Sequence, residues 1–427
     1  MTTSPGAQRN GPGGGAEQAL AKGDEAVTRF VGRVTAVQAE PRPTAPDTSR
    51  RGSDPSGPRH HLANLLRPGR LIPLALLVVL IFLPWMRFTV PGVLPGLVNS
   101  PGSMRLLAMC LVTAGIALSY DVLFGRTGLL SFGHALFVGA GAYVAAITLR
   151  DWGSLALSLV AVLVIGVALP LLVGAVSLRV KGIAFAMVTL AFAQAVAITV
   201  TRNPGGETGG EEGLPLSREG LPDVLLGVAN APYRYWVALA FCVLCLVVVG
   251  ALGRSRAGAA WAAVRENEAR VEVLGVSSYR AKLLSVLVGG LLGTIGGMVQ
   301  LLVVGGTSPA MLSVEFTLSM LVMVVLGGAG SRWGAVIGGA LYALLDSRLG
   351  ELATSQTIAE LPGVLRVPLS QPLFVFGLLF ILIVYFAPGG ITSIGRRLRG
   401  AAGRPGRSGR GSNPAPAIEQ MTELEET

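Results

Sequence analysis

The chain has 427 residues, 51% of them hydrophobic and only 14% charged, with a mean hydropathy of +0.62. Soluble domains carry about 25% charged residues, so this composition excludes a typical water-soluble enzyme. The net charge of +10 is mostly arginine, with lysine only at Lys22, Lys181 and Lys282. These residues sit mainly in tails and short loops, as the bias of Lys and Arg toward the cytoplasmic side of a membrane requires, and no nucleic-acid partner is expected.

Residues 1–70 are rich in Pro, Gly, Ser and Arg and read as a disordered cytoplasmic extension without a cleavable signal peptide. Within them Val27, Phe30, Val31, Val34 and Val37 have helical spacing. That pattern fits either a helix lying on the membrane surface or a marginal helix with no role. From 71 to 395 the chain reads as a transmembrane domain, because a span needs roughly 20 mostly apolar residues. Ten candidate segments follow: 71–86, 104–121, 133–149, 155–177, 182–200, 235–252, 283–305, 316–329, 333–346 and 372–388. The eighth and ninth are short and joined by "GGAGSRWG", so they form either a hairpin or one broken helix. The expected fold is an all-α polytopic membrane protein, a bundle of about ten transmembrane helices (eight to ten). The tail, 396–427, reads as disordered and cytoplasmic. Its "NPA", Asn413–Ala415, occurs once, in a polar setting, and is read as chance.

Charge sets the orientation. With a cytoplasmic N-terminus and alternating spans, 26 of the 34 Lys/Arg fall on the cytoplasmic side and 8 outside. The loop 253–282 is then cytoplasmic. The loop 201–234, with Glu207, Glu211, Glu212, Glu219 and Asp223, is external. Gly289, Gly293 and Gly297, and likewise Gly334 and Gly338, recur every fourth residue, a spacing that lets helix backbones approach closely in lipid. Cys110, Cys242 and Cys245 lie in apolar runs and read as packing residues.

Three constellations carry functional information. The first is "GRTGLLSFGHALFVGAGAY", Gly125–Tyr143, just after Tyr120 and Asp121. Polar groups at membrane depth face a cavity or a partner helix. Ser131 and His134 therefore either line a pathway or satisfy backbone groups at a helix end. The segment resembles the "GxTGxLSxGHAxFxGxGAY" signature of branched-chain amino-acid ABC importer permeases, specifically the M-type subunit. Arg126 stands where that family often has an aromatic residue, a departure expected to matter little.

The second is the external "TGGEEGL", Thr208–Leu214. Its carboxylates suit a cationic group or a docking partner, but a solvated turn is the simpler reading. It is similar to the family's "TGGSDGL", with Glu211 and Glu212 replacing Ser and Asp. Upstream, "VTLAFAQ" resembles another family stretch and places Thr189 and Gln194 within a span.

The third is "AWAAVRENEARVEVLGVSSYRAK", residues 260–282. Trp261, Val264, Ala269, Val271 and Leu274 are spaced as the apolar stripe of one short amphipathic helix ending at Gly275, with Arg265, Glu266, Glu268 and Arg270 on other faces. The acidic pair Glu266/Glu268 would repel anionic lipid, so a helix docking on a protein fits better than one lying on the membrane. The stretch resembles the family's coupling element, "RAIRENExxAxxLG", which seats in a cleft on the ATPase subunit. Further on, "MVVLGGAGSRWGAVIGGAL" looks like the family's "GGxGSxxGPxxGA". The resemblance covers roughly 70–395.

The resemblance implies a permease subunit of the bacterial plasma membrane importing branched-chain or related amino acids. It also implies a homologous second permease, two ATP-binding cassette subunits and an external substrate-binding protein. No Lys follows a Gly, so a "GxxxxGK[ST]" phosphate loop is impossible here. ATP would be used by partners, with no cofactor, metal or catalytic residue in this chain. ATPase coupling is expected at Trp261, Arg265, Glu266, Glu268 and Gly275, and the pathway at Ser131, His134, Thr189 and Gln194. The rival readings are a urea or short-amide permease of the same superfamily and an ion-coupled secondary transporter. The second would use Asp121 and Asp346, the acidic residues near span ends.

Overall fold

Ser100 opens the second helix as its N-cap, its side chain accepting the Ser103 N–H at 3.3 Å, with Pro101 in the first turn. Local signals of this kind place most of the helix ends in the computed structural model, which describes residues 68–90, 94–353, 371–386 and 389–392. The helices are α1 (Pro68–Phe82), α2 (Pro101–Asp121), α3 (His134–Trp152), α4 (Leu155–Ser177), α5 (Ile183–Arg202) and α6 (Ala231–Leu252). They continue as α7 (Arg256–Glu266), α8 (Glu268–Val273), α9 (Ser278–Val304), α10 (Val314–Gly327), α11 (Arg332–Ala353) and α12 (Pro372–Phe386). The readings made for residues 1–67, including the helical pattern at Val27–Val37, and for the 396–427 tail lie outside the described residues.

Each of the ten expected segments falls on one helix. The eighth and ninth are separate helices, α10 and α11, turning through Gly328–Ser331, and α11 runs on to Ala353. Among the described residues five helices are long and apolar enough to cross a membrane: α2 with the turn that extends it, α4, α5, α6 and α9. The chain is an all-α polytopic membrane protein.

Among the described residues, those from Ile72 onward belong to one compact unit. Its centre is α9, which packs on α2, α3, α4 and α6, while α2 also packs on α6 and α11. The most apolar windows of α2 and α9 are 78% buried, against 28% for α4 and α5, which leaves those two on the rim for lipid or a partner. Small residues permit the central contacts. A Cβ on Gly289 would collide with Leu123, and one on Gly297 with the Val138 carbonyl, so α9 lies against the end of α2 and against α3 backbone to backbone.

Two short strands lie among the helices. Leu214–Pro215 (β1) pairs antiparallel with Gly306–Thr307 (β2), Leu214 opposite Thr307. This short ladder ties the 201–234 loop to the connection between α9 and α10.

Candidate functional site

The Gly125–Tyr143 motif folds as a break in the helical run. After Asp121 the helix loosens into a π turn, Val122–Thr127, and closes at Gly128 with φ +76°. Residues 128–133 are irregular, and α3 starts at His134. Their backbone groups need partners inside the protein. The Phe132 N–H donates to Thr189 Oγ1 at 3.2 Å, the Gly133 N–H to Ser131 Oγ at 3.3 Å, and the Ala135 N–H to Thr317 Oγ1 at 3.2 Å. Ser131 and Thr189 thus hold the break, and both are buried. Thr317 does the same work and was not foreseen.

His134 is fully buried. Its Nε2 lies 2.9 Å from Ser119 Oγ, and its ring meets Tyr120 and Phe137 edge-on at 5.3 and 5.5 Å. Because the Ser119 hydroxyl donates to Ile116 O at 2.7 Å, its oxygen is left to accept from Nε2–H. His134 therefore locks the start of α3 to α2. Of the four expected pathway residues, Gln194 borders a cavity of about 470 Å³ at the far end of α5.

At the other end, α7 and α8 form two short helices where one was expected. Asn267, extended at φ −161°, breaks the run and caps α8, its Oδ1 accepting the Arg270 N–H at 3.0 Å. The stripe is correspondingly rearranged. Trp261, Val264 and Val271 are buried against the bundle and not turned toward a partner, while Ala269 is exposed and Leu274 is 75% exposed. Trp261 donates from Nε1 to Ala281 O at 2.8 Å, and Arg265 donates from Nη1 to Gly125 O. Both anchor the element to the bundle. Glu268 pairs with Lys282 at 2.7 Å and Lys181 at 3.5 Å and accepts from Ser278 Oγ at 3.1 Å. Partial burial raises its pKa, but the lysines and Ser278 more than offset this and hold the carboxyl below its ordinary value. Gly275 turns the chain at φ +79°. Glu266 is on the exposed side. Beyond it the tip presents Val273, 88% exposed, Leu274 and Val276. Three exposed aliphatic side chains in one turn are the outward feature of this element.

Between the two constellations lies Asp121, wholly buried at the end of α2. One carboxylate oxygen accepts the Gly330 N–H at 2.7 Å, and the other makes an ion pair with Arg126 Nε at 3.5 Å. With Arg265 on the neighbouring Gly125 carbonyl, this node joins the π turn, α7 and the α10–α11 turn. Arg126 is thus the counter-charge of a buried carboxylate, which corrects the expectation that its departure from the motif matters little.

At the opposite end, Asn203 closes α5 in the left-handed region, φ +47°, and holds the Gly-rich loop: the Thr208 N–H donates to its Oδ1 at 2.8 Å. Thr208 Oγ1 donates to Val200 O at 2.7 Å, and Arg150 pairs with Glu207. Glu211 and Glu212 are exposed. The loop is a structured cover fixed to α5, more than the simple solvated turn its composition suggests.

Residues 103–384 match the family model described as the permease component of branched-chain amino acid transport systems. The chain belongs to this family. Among similar proteins, the high-affinity branched-chain amino acid transport system permease protein LivM of Salmonella typhimurium is 31% identical over 302 residues, 64% of this chain and 66% of the relative. LivM of Escherichia coli is 30% identical over 268 residues, 56% and 61% of the two lengths. The probable LivM permease of Methanocaldococcus jannaschii is 26% identical over 333 residues, 68% of this chain and 94% of the relative. The match therefore spans just under two thirds of the first two relatives' length. No solved structure gives a significant match. The π turn, α7–α8 and the 470 Å³ cavity all lie within the matched permease region.

Proposed function

We propose that this chain is the membrane-spanning permease subunit of an ATP-driven importer for branched-chain or related amino acids. In this reading it pairs with a homologous permease, docks two ATP-binding cassette subunits and receives solute from an external binding protein. It lies in a bacterial plasma membrane with both termini and the 253–282 connection in the cytoplasm and the 201–234 loop outside. It has no ATPase site or cofactor of its own, and partners hydrolyse ATP.

The observation that carries this reading is the α7–α8 element. It is held from behind by Trp261, Arg265 and Glu268 and offers an aliphatic tip forward. An anchored helix pair with an exposed apolar turn suits insertion into a groove on another protein. Closure of the ATPase pair would push α7. The Arg265–Gly125 and Asp121–Gly330 bonds would carry that displacement into the π turn and the α10–α11 turn. A solute that binds the outward- and inward-open states differently would then be moved.

The test is uptake of labelled leucine in cells expressing the whole system, with the Leu274→Asp variant beside the wild type. The variant should reach the membrane in equal amount, fail to retain the ATPases on co-purification, and lose more than tenfold of its uptake rate. Normal uptake and ATPase retention would sink the docking role. Wild-type uptake that survives ATP depletion and collapses with the ion gradient would replace the whole reading with a secondary transporter.

A further inference from the structure

The cavity of about 470 Å³ lies between the last turns of α5 and the Pro309–Glu315 segment that leads into α10. Its size is that of a small-molecule site. Arg202 on one wall and Glu315 on the other bring opposite charges to one opening. Neither side chain makes an ion pair or hydrogen bond with another described residue, so the two face the same space without neutralising each other. Each sits where a helix favours its charge, Arg202 in the last turn of α5 and Glu315 in the first turn of α10. Gln194 and Thr201 add hydrogen-bonding groups, and Ala197 and Ile198 an apolar strip between them.

The walls are well fixed. The Gly-rich loop is bonded to α5 through Thr208, and the β1–β2 ladder holds the chain just before Pro309. An exposed cation and an exposed anion at one opening, with Ala197 and Ile198 also lining it, suit a free α-amino acid: carboxylate toward Arg202, ammonium toward Glu315, aliphatic side chain over Ala197 and Ile198. A solute carrying only one charge would leave the other wall charge unmatched.

We infer that this cavity is a low-affinity vestibule for zwitterionic amino acids, with Arg202 and Glu315 as its selecting charges. The inference rests on the transport reading above and assigns the residues that would first meet the solute.

The test uses the purified transporter complex in lipid nanodiscs with the binding protein omitted, and reads ligand binding by saturation-transfer NMR. The probes are leucine, 4-methylpentanoate, which keeps only the carboxylate, and 3-methylbutylamine, which keeps only the ammonium. Arg202→Gln should weaken leucine binding about tenfold and leave 3-methylbutylamine unchanged. Glu315→Gln should weaken leucine similarly and leave 4-methylpentanoate unchanged. Arg202→Lys should restore most of the loss, which a folding defect would not do. Absence of leucine binding to the wild-type complex, or binding by both Gln variants equal to wild type, overturns the proposal. Intact leucine binding with weakened capture of the binding protein also overturns it, and makes the two charges a protein-docking pair. ATP-dependent leucine uptake by the wild-type system is measured in parallel. Its absence defeats the transport reading, whereas its presence beside unaltered binding in the variants defeats only the vestibule.

Discussion

Asp121 and Arg126 are five residues apart, and the π turn between them is what brings them together. An α-helix aligns positions three and four apart, whereas the wider π turn closes its hydrogen bonds between residues five apart. The pair is therefore invisible to a search for helical charge partners, although both residues stand in plain view beside the motif. Their burial makes them sensitive. Asp121→Asn still accepts the Gly330 N–H but leaves Arg126 without its counter-charge. Removing one partner of a fully buried pair costs about 3–5 kcal/mol. Because the Arg126 side chain is 16% exposed and partly solvated, a smaller loss, about 1–3 kcal/mol, is expected here. Thermal unfolding in detergent checks it, and the double variant Asp121→Asn/Arg126→Gln should recover most of the loss. A strictly additive double variant would show that the two residues do not act as a pair.

The α7–α8 element shows where sequence reasoning succeeds and where it stops. Trp261 and Val264 were legible as an apolar stripe because their spacing is helical and no breaker lies between them, but spacing alone does not say whether such a stripe faces a partner or, as here, the bundle. Leu274 was placed on the same face by extending one helix past Asn267. That extension fails because Asn267 stops the first helix and caps the second, with Glu268 in the new first turn as the available signal. The same physics explains the reach of the span assignments. Lipid forces long apolar runs onto every crossing helix, but it imposes no such pattern on the connections that carry α7–α8 and the Pro309–Glu315 wall of the cavity. Ser131 and Thr189 were found as candidates because polar groups stand out at membrane depth, yet only geometry shows them bonding the backbone of the break. Two predictions belong to this element. Trp261→Ala removes its largest anchor and should destabilise α7 against the bundle by about 3–5 kcal/mol, seen as faster hydrogen exchange over 256–276 while α9 stays protected. The Glu268 anchor is pH-dependent. Its carboxyl sits below the ordinary 4.5, so its contribution is complete above that value and disappears as pH falls through the lowered one. Protection of 268–276 should thus fall in acid in the wild type, and Glu268→Gln should show the acid level of protection already at neutral pH. A Gln variant as protected as wild type at neutral pH would remove Glu268 from the anchor.

At the scale of the whole molecule, the two ends of the bundle are built differently. One end carries the Gly-rich cover, the exposed pair Glu211/Glu212 and the mixed-charge cavity. The other carries Arg126 and Arg265 beside the buried Asp121 carboxylate, with Arg254 and Arg332 near Arg126 and the aliphatic tip beyond. Burial together with the neighbouring Arg254 and Arg126 lowers the pKa of Arg332, as expected where arginines crowd. A surplus of arginine at one end belongs on the cytoplasmic side, so the proposed orientation has a direct check. Cys242 and Cys245 are buried in α6 and Cys110 lies half-buried in α2, so the native thiols are poor targets for a charged reagent. A membrane-impermeant maleimide should label Glu212→Cys in intact cells and leave Val273→Cys untouched until the cells are permeabilised. Both positions are exposed, so a silent site reports the side of the membrane and not burial within the protein. The reverse pattern would turn the molecule over. The cavity at Arg202 and Glu315 would then open to the cytoplasm and serve as an exit, and the aliphatic tip of α8 would face away from any cytoplasmic ATPase.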